Sequence, residues 1–237
     1  MDPEALRRTI ARYPADFVHH GQPVAVTLTQ ATEIGTVYSH DEIEAISAVA
    51  REKNLPLHMD GARFANAMVA LSSTPAQMTV DRGVDIVSFG GTKNGCWCAE
   101  ALVFFDPEMA RQVPFIRKRG AHLFSKSRFI AAQFAAYLEN GLWLELAAHS
   151  NAMADRLRSA IRASAKARLA WDGRANEVFA VLPKTVSLAA ETKGARFYEW
   201  PAPKDMTGAP APDEVLIRLV TSFATSETDV DRFAELL

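Results

Sequence analysis

The chain has 237 residues, a formal net charge of −2, 49% hydrophobic and 23% charged residues. That is long enough to bury a sizeable core and ordinary for a water-soluble globular protein. The near-neutral balance excludes a binder of nucleic-acid backbones, and no apolar run reaches the length of about eighteen residues that a membrane span needs.

The opening MDPEALRRTI lacks the apolar core of a signal sequence. The only cysteines, Cys96 and Cys98, form C-x-C, which is neither a redox C-x-x-C nor half of a zinc site. A reduced, cytoplasmic chain without a metal centre is expected.

In chain order, Asp2-Pro3-Glu4 opens a helix expected to run to about Tyr13, with an N-cap acid and a proline in the first turn. Val18–Pro23 reads as a loop and Val24–Thr29 as a strand. Ser39-x-x-Glu42 is a capping box, after which Ile43, Ile46 and Ala50 share a helical face. Leu55–Met59 is the next strand, so a parallel pair with a right-handed crossover is expected. A helix over about Arg63–Leu71 and a short one from Thr74-Pro75 lead to the apolar strand around Val84–Phe89. Ala101–Phe105 is a further strand. Helices are expected at about Pro107–Arg117 and Lys126–Asn140, the second stopped by Asn140-Gly141, and then over Leu142 to about Ala167. From Glu177 the pattern shifts to short strands (EVFAVL, ARFYEW, EVLIRLV), a proline-rich loop over Pro201–Pro212 and a last helix capped near Ser226. The alternation predicts an α/β chain with a mostly parallel sheet over residues 1–141 and a small α/β domain over 142–237.

Two stretches carry chemistry. In VDIVSFGGTKNG (Val84–Gly95) a buried strand runs into glycines and then Lys93. Open α/β sheets place ligands beyond the C-terminal ends of their strands. A lysine there is either a solvated loop residue or the amine that forms a Schiff base with an aldehyde cofactor. In LPLHMDGARFAN (Leu55–Asn66) a strand runs into Asp60, with Arg63 three residues on. Asp60 is either a helix N-cap or a carboxylate able to keep a pyridine nitrogen protonated, with Arg63 as its positive neighbour.

Together, HMDGARFANA and SFGGTKNG resemble the low-specificity L-threonine aldolases, which are pyridoxal-phosphate enzymes of fold type I in the β-eliminating lyase group. LTQATEIGTVYS (Leu28–Ser39), RKRGAHLFSKSRF (Arg117–Phe129) and RLVTSFAT (Arg218–Thr225) extend the resemblance over essentially the whole chain. The resemblance implies pyridoxal 5'-phosphate as cofactor, a β-hydroxy amino acid as substrate, and a homodimer or homotetramer. It implies cleavage of the Cα–Cβ bond of L-threonine or L-allo-threonine to glycine and an aldehyde. Lys93 matches the Schiff-base lysine, Asp60 the acid on the pyridine nitrogen, and Arg63 the arginine at the cofactor's phenolic oxygen. Arg218 matches the arginine that grips the substrate carboxylate, against a plain strand-end surface arginine.

Many members carry a basic histidine in the loop corresponding to Gln30–Gly35, and this sequence has none. Glu33, if raised by burial, or a water or phosphate group is expected to take its place. His122 reads better as a packing or interface residue. The family's glycine-threonine phosphate loop and ring-stacking histidine have no counterpart before Val24, so the chain reads as N-terminally truncated relative to the family. The truncation is expected to leave an exposed sheet edge and an uncovered apolar face. Two other readings stand beside the aldolase: a catalytically silent or partner-dependent remnant of the fold, and another fold-type-I β-eliminating lyase or phenylserine-type aldolase.

Overall fold

The structure, a computed structural model, describes residues 1–237. Helix α1 (Pro3–Ile10) starts from Asp2, whose side chain accepts the Glu4 and Ala5 amides. It stops at Ile10, short of Tyr13. After a loop, β1 (Val26–Thr29) leads to α2 (His40–Glu52), entered through the expected Ser39–Glu42 capping box. Strand β2 (Leu57–Gly61) runs two residues past Met59, so Asp60 lies within the strand. Helices α3 (Phe64–Leu71) and α4 (Pro75–Met78) follow, the latter with a Thr74–Gln77 capping box.

Strands β3 (Ile86–Gly90) and β4 (Glu100–Phe104) complete a four-stranded sheet in the order β1-β2-β3-β4. The first two pairings are parallel and β3–β4 is antiparallel. The short β3–β4 connection has no room for the crossover helix that a parallel partner needs.

The predicted helix Pro107–Arg117 is two elements, a 3-10 turn over Pro107–Ala110 and α5 (Val113–Arg119). Pro114 has no N–H and its ring clashes with the preceding turn, which forces a fresh start. Helix α6 (Arg128–Leu138) ends where Asn140 (φ 52°) and Gly141 (φ 78°) turn left-handed, as the Asn-Gly pair predicts. Helix α7 (Leu142–Ala163) stops four residues early because Ser164 turns extended and its hydroxyl accepts the Lys166 and Ala167 amides.

The remaining elements are β5 (Arg168–Leu169), β6 (Glu177–Pro183), α8 (Lys184–Thr192), β7 (Tyr198–Glu199), β8 (Glu214–Val220) and α9 (Glu227–Ala234). The second sheet is antiparallel throughout, in the order β5-β6-β8-β7. The strand read in ARFYEW shrinks to two residues, and β5 and α8 were not foreseen.

Strand alternation builds the cores. Val26, Leu28, Leu57, Met59 and Val87 face Ile43, Ile46, Phe64 and Met68 of the helices, forming one apolar cluster. Val178, Ala180, Leu182, Val215, Ile217 and Leu219 of the second sheet pack on α7 and α9 to form another. A buried polar seam joins the two halves. Asn66 donates from Nδ2 to Ser150 Oγ (2.8 Å) and Asn151 Oδ1 (3.0 Å), and Asn151 Nδ2 donates back to the Asn66 carbonyl (3.0 Å). Thr221 donates to the Ser150 carbonyl (2.7 Å) and Asn176 to the Thr221 carbonyl (2.6 Å).

The opposite face of the first sheet carries no helix. It presents Thr27, Thr29, His58, Asp60, Ile86, Ser88, Leu102 and Phe104 in register. An open face was expected, but an apolar one. The same alternation that sends the aliphatic residues to the helices leaves this face mostly polar, with Ile86, Leu102 and Phe104 as its apolar members.

Candidate functional site

Lys93 sits in a 3-10 turn, Thr92–Asn94, just beyond the C-terminal end of β3, and is exposed. Its neighbour Asn94 is buried and fastens the turn, donating from Nδ2 to the Tyr137 hydroxyl (2.7 Å) and to the Trp143 carbonyl (2.8 Å). Burial pushes the Tyr137 hydroxyl up to about 12, with the Asn94 bond acting the other way. The following segment is held by Gln133, whose Oε1 accepts the Trp97 and Cys98 amides at 2.9 and 3.1 Å.

Asp60 lies on the neighbouring parallel strand, paired in register with Ser88 and half-buried on the open face. Its Oδ1 accepts the Ala62 amide at 3.0 Å. It is not the cap of α3, because that helix begins at Phe64 with Arg63 in the cap position and no side-chain cap bond. Beside it His58 Nε2 and Ser88 Oγ share a hydrogen bond of 2.8 Å. The two strand ends approach closely: a Cβ on Gly61 would lie 2.8 Å from the Ser88 carbonyl oxygen, and one on Gly90 would lie 3.1 Å from Ala62 Cα. Only glycine permits backbone contacts this tight.

Arg63 precedes the helical turn in which it was expected and makes no direct bond to Asp60, although the Asp60 charge acts on it. Only 6% exposed, it places Nη2 3.2 Å from Glu177 Oε1. Its Nε is buried without a partner. Arg218, on β8, donates from Nε to the same oxygen at 2.9 Å and from Nη2 to it as well. The Arg218 guanidinium lies 4.7 Å above the Trp200 ring. Glu177 has no exposed surface, and its Oε2 has no partner.

Burial lifts the Glu177 carboxyl above the ordinary range, while Arg63 and Arg218 pull it down against that lift. Two guanidiniums on one oxygen favour its charged form against that burial. Burial likewise pulls Arg63 down; Glu177 opposes this, and Arg218 adds to it.

Glu33 is exposed, without the burial that was to raise its proton affinity, but its charge acts on Arg63. Its loop is fixed at the junction of the two sheets. Trp171 Nε1 donates to the Ile34 carbonyl (2.7 Å), and the Arg174 amide donates to the Gly35 carbonyl (3.1 Å). The basic segment Arg117–Arg128 is largely exposed, and Arg117 Nε donates to the His122 carbonyl at 3.2 Å.

The fold thus places Lys93 and Asp60 at adjacent strand ends and joins Arg63 to Arg218 through Glu177. Sequence reasoning missed Glu177, Asn94 and Trp200. The one signal for Glu177 is an acid at the head of the otherwise apolar run EVFAVL.

The sequence profile described as beta-eliminating lyase matches residues 1–182. The chain belongs to that family. Within the beta-eliminating lyase family it is 44% identical over 181 residues to the low specificity L-threonine aldolase of Pseudomonas sp. (strain NCIMB 10558), a match covering 76% of this chain and 52% of the relative. The Pseudomonas aeruginosa protein of the same description is 42% identical over the same shares. The chain therefore spans about half the length of the curated relatives it matches. Among solved structures, a Leishmania major threonine aldolase superposes with a TM-score of 0.88 at 29% identity, over all of this chain and 66% of that one. A putative L-allo-threonine aldolase from Listeria monocytogenes, at 18% identity and a TM-score of 0.67, covers 91% of this chain and 61% of its own, and shares the fold. That fold is the type I architecture of pyridoxal-phosphate enzymes, with a mostly parallel sheet followed by an antiparallel one.

Proposed function

We propose that this beta-eliminating lyase chain carries the reactive half of an aldolase site that cleaves the Cα–Cβ bond of L-threonine, L-allo-threonine or a related β-hydroxy-α-amino acid, giving glycine and an aldehyde. The observation that carries the reading is the placement of Lys93 and Asp60 at the C-terminal ends of adjacent parallel strands.

Pyridoxal 5'-phosphate, when bound, supplies an electron-accepting ring. The residues present suit its ring end. Asp60 stands half-buried on an open polar face, a lysine amine is free at the next strand end, and the buried Arg63 Nε lacks a partner. Lys93 would hold the cofactor through its amine, and Asp60 would keep the proton on the ring nitrogen. Arg63 would face the ring's phenolic oxygen, as the family resemblance implies. Arg218 would orient the substrate by its carboxylate, since a planar guanidinium meets a carboxylate with two parallel bonds. Glu33 is exposed and lacks the burial that a base here needs, so the β-hydroxyl proton would pass to a water or a cofactor phosphate group.

We further propose a division into a cofactor-binding part over residues 1–141 and a smaller domain over 142–237. A homodimer or homotetramer and a cytoplasmic location belong to the same reading. No helix is long and apolar enough to cross a membrane.

The test is the visible spectrum of the purified chain with pyridoxal 5'-phosphate, followed by borohydride reduction and peptide mapping. A reduced adduct on Lys93 and glycine release from L-threonine are expected. Absence of any adduct would sink the reading. It would favour a second one, suggested by the uncovered sheet face that carries Asp60: a scaffold that works only with a further chain segment laid over that face.

A further inference from the structure

Glu177 has no part in the aldolase reading above, yet it is the most buried ionisable group of the site. It heads β6, and its Oε1 is met from two directions, by Arg63 from the start of α3 and by Arg218 from β8. A carboxylate taken wholly out of water is costly unless it is paired, and removing one partner leaves an uncompensated charge. Here one carboxylate oxygen is met by two guanidiniums.

The geometry at Arg218 is specific. Glu177 occupies the side edge of the guanidinium, formed by Nε and Nη2. Trp200 covers one face of the plane. Nη1 has no hydrogen-bond partner in the protein, and 17% of the Arg218 side chain reaches solvent. A guanidinium has two edges able to meet a carboxylate bidentately, the side edge and the end edge formed by Nη1 and Nη2. With the side edge filled and one face covered, only the end edge is presented to a ligand.

We propose that Glu177 is a positioning residue that fixes Arg218 with its Nη1–Nη2 edge free, so that a ligand carboxylate is received in one orientation. The extension to substrate rests on the aldolase reading; the claim about Arg218 itself does not. The other charged groups facing this cluster are Glu33 and Asp60, both acting on Arg63, and neither bonds Arg218. Arginine alone on a strand would sample many rotamers, and each amino acid bound would have to order it first. The Glu177 and Trp200 contacts do that ordering in advance.

The test uses the full chain labelled with 15N, without cofactor, and follows the Arg218 Nε–H resonance while acetate is added as the carboxylate probe. In the wild-type chain the resonance is expected to exchange slowly with water and to shift with acetate. An Arg218 Nε–H that exchanges as fast as a free arginine overturns the proposal without any variant. Glu177→Gln is expected to speed exchange and weaken acetate binding, each by about tenfold or more, and Glu177→Asp to recover part of both. Unchanged exchange and acetate affinity in a folded Glu177→Gln chain would also overturn it.

A second arm uses the chain loaded with pyridoxal 5'-phosphate and reads the cofactor absorbance during titration with glycine and with ethanolamine, an amine lacking the carboxylate. Glu177→Gln is expected to weaken glycine by about tenfold and leave ethanolamine unchanged. Equal weakening of both would mean a merely structural role. A wild-type chain that takes up no cofactor sinks the aldolase reading, and the resonance arm then decides Glu177 by itself.

Discussion

Asn94 donates from its amide to the Tyr137 hydroxyl at 2.7 Å, and through that bond the turn bearing Lys93 is tied to helix α6. The same Nδ2 also reaches the Trp143 carbonyl at the start of α7. The exposed lysine therefore stands on a buried and doubly anchored neighbour. Replacing Asn94 by Ala would remove both bonds and leave the buried Tyr137 hydroxyl without its partner, at a cost of about 1–3 kcal/mol. Urea unfolding should show this loss, and borohydride trapping should show less adduct on Lys93 at equal cofactor.

Lys93 itself is exposed, so Lys93→Ala should leave the thermal midpoint within about a degree or two of wild type while abolishing the adduct. Persistence of a borohydride-stable adduct in that variant would remove Lys93 from its role. Asp60→Asn should retain the adduct and slow glycine release by about a hundredfold, because the ring nitrogen loses its ionic partner. Unchanged turnover would take Asp60 out of the mechanism.

Gly61 separates β2 from the neighbouring β3 backbone. A methyl group there would press on the Ser88 carbonyl oxygen at 2.8 Å and on Phe64 at 3.2 Å. Backbone cannot yield as a flexible side chain can, so Gly61→Ala should destabilise the chain by about 1–3 kcal/mol. A midpoint of urea denaturation equal to wild type would contradict this.

Acid should weaken one ion pair in a defined window. Arg168 bonds Glu214, with Nη2 2.9 Å from Oε2, and with the Ala211 amide it holds that carboxyl down at about 2. The folded value lies below the ordinary value of 4.5, so the contribution to stability is complete above 4.5 and disappears as the pH falls towards 2. The difference in thermal midpoint between wild type and Glu214→Gln should therefore be largest at neutral pH and close towards pH 2. A difference that is constant with pH would show that the charge contributes nothing.

Local chemistry was readable in the sequence wherever the cause is local. Ser39 and Glu42 form their capping box, Asn140-Gly141 ends its helix, and the apolar run before Gly90 is a strand with Lys93 just beyond it. The error at Met59 is also local: β2 continues through Asp60 because its side chain turns back to the Ala62 amide and allows the strand to run on. What could not be read depends on register between distant strands. Pairing in the second sheet sets Phe179 opposite Arg218 and Glu177 opposite Val220, and this brings Glu177 beside an arginine from the other half of the chain. No spacing within EVFAVL or DGARF encodes that meeting. Trp200 was hidden for the same reason, since its place over Arg218 follows from its backbone bond to Leu216.

The polar seam of Asn66, Ser150, Asn151, Asn176 and Thr221 has a consequence for how the molecule melts. Each of these groups is buried; the Asn66 bonds to Ser150 and Asn151 cross the junction, and Thr221 and Asn176 brace Ser150 from within the second half, so parting the two halves would leave the Asn66 and Asn151 amides dry and unpaired at once. Opening one half while the other stays folded is then the expensive route. Amides of α3, α7 and β8 should exchange with deuterium as one cooperative block, at a rate set by loss of the whole fold.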